Sequence, residues 1–222
     1  MKTAATSVLI CVGVLGAACV QKTIIPTSFT PAYKTMLDAA DATVARSCAA
    51  ASAVNAESSL SGTVVGKRKI EESSYPAQDI RIEGDTAAWL RASADEMFKR
   101  ASLKAGIADA PSVTLKLADV LIDETVHVNS AYDARITVDA AVVNSRGKQC
   151  WSGRKTGASH EYGADGSAEN YRPLVDHALD RAVMAVASDP GFQEALCSSS
   201  CRNAVPEPAA SPARKRSKRH KP

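Results

Sequence analysis

From Ala134 to Val142 the chain alternates without interruption, with Ala134, Ile136, Val138, Ala140 and Val142 on one parity and Arg135, Thr137, Asp139 and Ala141 on the other. Period-two alternation sends the two sets to opposite faces of a strand, so one face must be covered and the other can meet water. Asn144-Ser145-Arg146-Gly147 supplies turn formers directly after it and leads back into a strand over Gln149 to Thr156. Upstream, Val113, Leu115 and Leu117 share one parity while Val120 and Ile122 share the other. A bulge near Ala118 and Asp119 reconciles the two halves as one strand. Three consecutive strands joined in this way predict an antiparallel meander.

The period changes on both sides of that meander. Leu90, Ala94, Met97, Phe98 and Ala101 recur at helical spacing after Asp85, which suits an N-cap, and before Gly106, which offers a left-handed exit. This predicts a helix from Thr86 to Lys104. A polar loop over residues 158–167 precedes a second helix with a stripe of Val175, Ala178, Leu179, Ala182, Val183 and Val186, and Pro173 suits its first turn. Asp189-Pro190 restarts a short helix carrying Phe192 and Leu196. Residues 48–55, 60–70 and 79–82 read as three further strands. The fold class is α+β: an antiparallel or mixed sheet with two amphipathic helices packed on one face. The domain is expected over residues 45–201, its body starting near Ser47.

The ends of the sequence differ from this body. MKTAATSVLICVGVLGAACVQK has one early Lys, an apolar heart from Val8 to Leu15 and small residues ahead of Cys19, which is the pattern of a signal peptide over residues 1–18. LGAAC resembles a bacterial lipobox, which makes Cys19 the expected lipidation site and residues 19–44 a lipid-bearing tether. Val20 follows in place of the aspartate that retains lipoproteins at the inner membrane, so the expected address is the outer membrane, facing the periplasm. Residues 202–222 carry +6 against −3 for the other 201 residues. Arg214, Lys215, Arg216, Lys218, Arg219 and Lys221 lie in a Pro- and Ala-rich context that predicts disorder, and they suit contact with anionic lipid or lipopolysaccharide. A total of 27 Lys+Arg against 24 Asp+Glu gives no global bias toward nucleic acid.

Cys48, Cys150, Cys197 and Cys201 remain within the body. In an exported chain they are expected as disulfides, and four cysteines permit three pairings. The reading adopted joins Cys48, which opens the first of the expected strands, to Cys150 in the last meander strand, and Cys197 to Cys201.

CAAASAVNAESSLSGTVVGKRK, TAAWLRASADEMFKRASLKAG, SVTLKLADVLID, RITVDAAVVNSRGKQCWSGRKTGAS and YRPLVDHALDRAVMAVASDPGFQEAL together resemble the YajG-like family of bacterial lipoproteins, and more loosely the auxiliary lipoproteins of ABC-type transporters. The resemblance implies an envelope address, an α+β fold and a supporting role, with no catalytic residues to carry over. The leading expectation is a non-enzymatic lipoprotein that scaffolds or assists an envelope complex. Behind it stand an accessory of an ABC-type lipid transporter and a periplasmic hydrolase. No metal or cofactor motif supports the last: His127, His160, His177 and His220 show no HExxH spacing, and neither a GxSxG elbow nor a phosphate loop occurs. An apolar groove between helices and sheet would favour lipid handling, a closed core the scaffold, and convergence of His160, Glu161 and serines the hydrolase.

Overall fold

The computed structural model describes residues 27–37, 45–71, 76–126, 130–163 and 168–202. Cys19, His127, His220 and the six basic residues from Arg214 to Lys221 lie outside them. The strands are β1 Thr27–Phe29, β2 Ala50–Ala51, β3 Val54–Glu57, β4 Val64–Ile70, β5 Gln78–Ile82, β6 Lys104–Ala105, β7 Ser112–Val126, β8 Ser130–Val143 and β9 Gln149–Gly163; the helices are α1 Thr86–Arg100, α2 Ala168–Ala187 and α3 Pro190–Cys197. Seven strands form one mixed sheet in the order β1-β5-β4-β7-β8-β9, with β3 also on β7, and β2 pairs with β6 apart from it. The fold is α+β, as the sequence pattern implies.

The long meander of β7, β8 and β9 sets the layers. On β8, Ala134, Ile136, Val138, Ala140 and Val142 are buried and the intervening side chains face outward. On β7 the register against β8 shifts between Leu117 and Asp119, so Val113, Leu115 and Leu117 share the core with Val120 and Ile122. The expected bulge is therefore present, and it keeps both apolar runs on one face. Leu90, Ala94, Met97 and Phe98 of α1 and the Val175 to Val186 stripe of α2 close over that face.

Several boundaries differ from those the sequence suggests, each for a tertiary reason. The fold does not wait for Ser47: β1 pairs in parallel with β5, and buried Phe29 packs on Tyr171 with ring centroids 5.6 Å apart, so part of the expected tether belongs to the body. α1 stops at Arg100, and Ser102, not Gly106, adopts the left-handed conformation that ends it, with φ 60°. Leu103 N–H donates to Phe98 O and Ser102 N–H to Lys99 O, both at 2.9 Å, while the Leu103 side chain enters the core. This is a Schellman closure with serine where glycine is usual. β9 continues to Gly163 through the segment expected as a loop, because β8 is long enough to pair with it from Val143 back to Ser130. α2 starts at Ala168, which leaves Pro173 inside the helix beyond the first turn. Burial of Tyr171 drives that early start.

The disulfides also correct the expected pairing. Cys48 bonds to Cys197, and Cys150 to Cys201. Cys197 ends α3 beside the segment leading into β2, whereas Cys201 sits in the next turn, with Cys201 N–H donating to Ser198 O at 3.1 Å. Trp151 packs edge-on against Phe192 at 5.3 Å, which brings the start of β9 against α3 and sets Cys150 within reach of that turn. The CSSSC spacing thus serves two different neighbours.

At Gly157 the backbone of α2 lies directly against the sheet. A Cβ there would lie 2.0 Å from Ala178 O and 2.5 Å from Ala182 N, both helix backbone. Gly157→Ala is therefore expected to lift α2 from β9 and destabilise the domain by about 2 to 3 kcal/mol, the range of core overpacking. Urea unfolding of the two proteins measures it; an unchanged midpoint would mean that the helix gives way freely.

Candidate functional site: a clasped N-terminal arm and an open sheet face

Residues 27–37 are fastened to the body by two carboxylates one turn apart on α2. Asp176 and Asp180 are 2% and 0% exposed. Asp176 Oδ1 accepts the Trp89 indole N–H at 2.7 Å, and its Oδ2 accepts the Lys34 backbone N–H at 3.0 Å. Asp180 Oδ1 accepts the Tyr33 and Ser93 hydroxyls, both at 2.9 Å, and its Oδ2 accepts the Met36 N–H at 2.9 Å. Burial raises the Asp176 carboxyl to about 6 against these hydrogen bonds, and burial followed by the Asp180 charge pushes the Tyr33 hydroxyl far above its ordinary range. Arg172 donates to Thr30 O at 3.1 Å, and Arg100 donates to Leu37 O. The carboxylate oxygens are committed to holding the arm against α1 and α2, which is a positioning task.

A second buried polar group sits where β7 ends and α2 begins. The Tyr171 hydroxyl donates to Glu124 Oε2, Arg68 Nε lies 3.4 Å from Glu124 Oε1, and Asn170 donates to the Tyr132 hydroxyl at 3.1 Å. Glu124 is 1% exposed because the β7 bulge gives it the core parity of Val120 and Ile122. Burial, followed by the hydrogen bond to Glu124, pushes the Tyr171 hydroxyl far above its ordinary range. The network joins β4, β7, β8 and α2 at one end of the sheet.

The opposite face of the sheet carries no helix among the described residues and is a mosaic of charge. Arg154 donates to both carboxylate oxygens of Asp139 at 2.6 and 2.8 Å, and its hydrogen bond holds that carboxyl below the usual range. Asp133 and His160 Nδ1 are 2.8 Å apart, and the His160 ring meets Tyr162 edge-on at 4.7 Å. Leu121, Asp123, Asp133, Arg135, His160 and Arg181 border an open cleft of about 290 Å³. Tyr162 is 72% exposed beside it. Such a surface offers paired charges and a few apolar points for recognition.

The residues that would have suggested hydrolysis do not converge. His160 points outward, whereas Ser159 and Glu161, its neighbours on β9, take the other face. Ser159 Oγ instead lies 3.5 Å from His177 Nδ1 beneath α2. Neither Asp176 nor Asp180 stands out in the sequence as a site residue, although their i, i+4 spacing within the flank of an apolar stripe is the signal of a buried pair. Glu124 carries a comparable signal as an acid on the apolar parity of a strand.

No family model and no curated protein matches the chain. Among solved structures, it is similar to a Xanthomonas campestris protein of family DUF330, at 12% identity and a TM-score of 0.45 over 72% of this chain and 92% of that one. A minor lipoprotein from Acinetobacter baumannii aligns at 9% identity and a TM-score of 0.38 over 55% and 90%. A candidate lipoprotein from Caulobacter crescentus CB15 aligns at 20% identity and a TM-score of 0.33 over 52% and 83%. None of these three is described as YajG-like.

Proposed function

We propose that this chain is a non-enzymatic bacterial cell-envelope lipoprotein, acylated at Cys19 and held at the outer membrane, whose periplasmic body assists an envelope complex through its open sheet face. The observation that carries the reading is the pair of disulfides, which engage Cys48, Cys150, Cys197 and Cys201. Two such bonds suit an oxidising compartment and agree with the signal and LGAAC pattern of the first 19 residues. The helices close over the core face of the sheet, which favours recognition at the surface over lipid carriage between helices and sheet. The YajG-like resemblance of the sequence points the same way.

Cys19→Ala removes the thiol that would accept the lipid. The variant is expected to move into the soluble periplasmic fraction or to remain unprocessed, while the unaltered chain partitions with membranes and carries the added mass of its acyl chains. Unchanged partitioning and unchanged mature mass would reject the assignment.

A further inference from the structure

The four body cysteines are joined in an interleaved order. Cys48 reaches forward over Cys150 to Cys197, and Cys150 reaches over Cys197 to Cys201. Each bond therefore takes one member of the CSSSC pair, and a bond between Cys197 and Cys201 would block both at once. That competing bond needs almost no fold, because only three serines separate its ends. Loop-closure entropy favours its span of four residues over the native spans of 51 and 149 by roughly fortyfold and two hundredfold.

The native bonds, by contrast, wait for the last helix to be seated. Cys197 ends α3, which has eight residues, too few to hold a helix alone in water. Its docking depends on buried Leu196 and on Phe192, whose ring centroid lies 5.9 Å from that of Phe98 and 5.3 Å from that of Trp151. Only then does Cys197 meet Cys48 ahead of β2, and only then does the 198–201 turn bring Cys201 to Cys150 at the start of β9. A chain that enters an oxidising compartment from its N-terminus presents Cys48 and Cys150 to each other before either C-terminal cysteine has arrived. Order of arrival and loop length thus both select Cys48–Cys150 and Cys197–Cys201, whereas the fold holds neither.

We infer that the chain reaches its native bonds by thiol–disulfide isomerisation and is a substrate of a dithiol isomerase, an inference that rests on the proposed export to an oxidising compartment. The first bonds are installed by a disulfide-bearing oxidant, which is reduced as each pair of thiols is joined. The rearrangement that follows is redox-neutral. A catalyst thiolate attacks Cys201 Sγ and breaks the Cys197–Cys201 bond, leaving a mixed disulfide at Cys201 and a thiolate at Cys197. The Cys197 thiolate attacks Cys48 Sγ, which forms Cys48–Cys197 and releases Cys150 as a thiolate. Cys150 then attacks Cys201 Sγ of the mixed disulfide, forming Cys150–Cys201 and returning the catalyst thiolate. Two protein disulfides enter and two leave. The product is held because Cys201 is 1% exposed, so the folded state withdraws it from further attack.

Purified chain separates this inference from the question of lipidation. Residues 19–222 carrying Cys19→Ala are reduced in guanidinium chloride, diluted into native buffer with diamide, an oxidant that carries no thiol, and freed of it by gel filtration. The oxidised chain then receives a catalytic amount of a reduced bacterial disulfide isomerase, or of the same enzyme with its thiols alkylated. Samples quenched in acid are peptide-mapped without reduction. Diamide alone should leave Cys197–Cys201 in most chains, and the active isomerase should raise the rate at which Cys48–Cys197 and Cys150–Cys201 appear by at least about tenfold over the alkylated enzyme. Native pairs that dominate straight after oxidation, or equal conversion by the active and alkylated enzymes, would each overturn the inference. Neither result touches the membrane partitioning that tests the address of the chain.

Discussion

Replacing Cys48 and Cys197 by serine should cost the domain about 5 kcal/mol, the larger of the two disulfide contributions. The bond spans 149 residues, and closing a loop of that length removes about 5 kcal/mol of unfolded-chain entropy, against about 4 kcal/mol for the 51-residue span of Cys150–Cys201. Domains of this size are stable by about 5 to 15 kcal/mol, so the double variant should be partly unfolded or close to it at physiological temperature. The loss should reach beyond the α3 end, because the bond ties the segment before β2 to the last helix and thereby closes nearly the whole described chain into one loop. Urea titrations of oxidised wild type and of Cys48→Ser/Cys197→Ser measure the difference. Peptide mapping without reduction should recover Cys48 joined to Cys197 and Cys150 joined to Cys201. A stability loss under about 1 kcal/mol would mean that the unfolded chain is already compact enough to need no covalent loop.

The parts of this fold that could be read from sequence are those governed by side-chain period. The alternation of β8, the two stripes of α1 and α2 and the β7 bulge each follow from which side of a strand or helix a residue must take. What escaped is set by partners distant in the chain. β9 looked like a loop after Thr156 because Gly157, Ala158 and Ser159 carry no apolar signal; the missing side chain of Gly157 instead admits α2 against the sheet. Residues 27–37 looked like a tether because they have no period of their own, and their order comes from β5, α1 and α2. The disulfide pairing depends on how α3 turns back onto β9, which spacing in the sequence does not encode. Of the candidate site, the cysteines were legible by type, whereas Asp176 and Asp180 gained their role only once Tyr33, Lys34 and Met36 were placed beside them.

Asp180→Ala should cost about 3 to 5 kcal/mol and release the arm. Three donors rely on that carboxylate: the Tyr33 hydroxyl, the Ser93 hydroxyl and the Met36 N–H. Each donor left buried without a partner costs about 1 to 3 kcal/mol, and the cheapest escape is for Tyr33 and Met36 to leave the body and take water. The variant should therefore be cut by protease within residues 27–37 well before its core, whereas wild type should resist there. Asp176, which Asp180, Trp89 and the Lys34 N–H all face, supplies the pH dependence of the same clasp. Its carboxyl is raised from 3.8 to about 6 in the folded protein, so the native state holds a proton that the unfolded chain has released across that interval. Stability from this group then falls as pH rises from about 4 to about 6 and stays lower above it. Asp79, Asp139 and Asp189, held low by hydrogen bonds from Lys67, Arg154 and Lys155, act oppositely, withdrawing their support as pH drops below the ordinary carboxylate range. Subtracting the stability of Asp176→Asn from that of wild type isolates the buried carboxyl: the difference should move in favour of wild type as pH is lowered from about 7 to about 4. A difference that stays flat over that interval would show that Asp176 titrates as an ordinary surface acid and that the arm is not held by a buried charge.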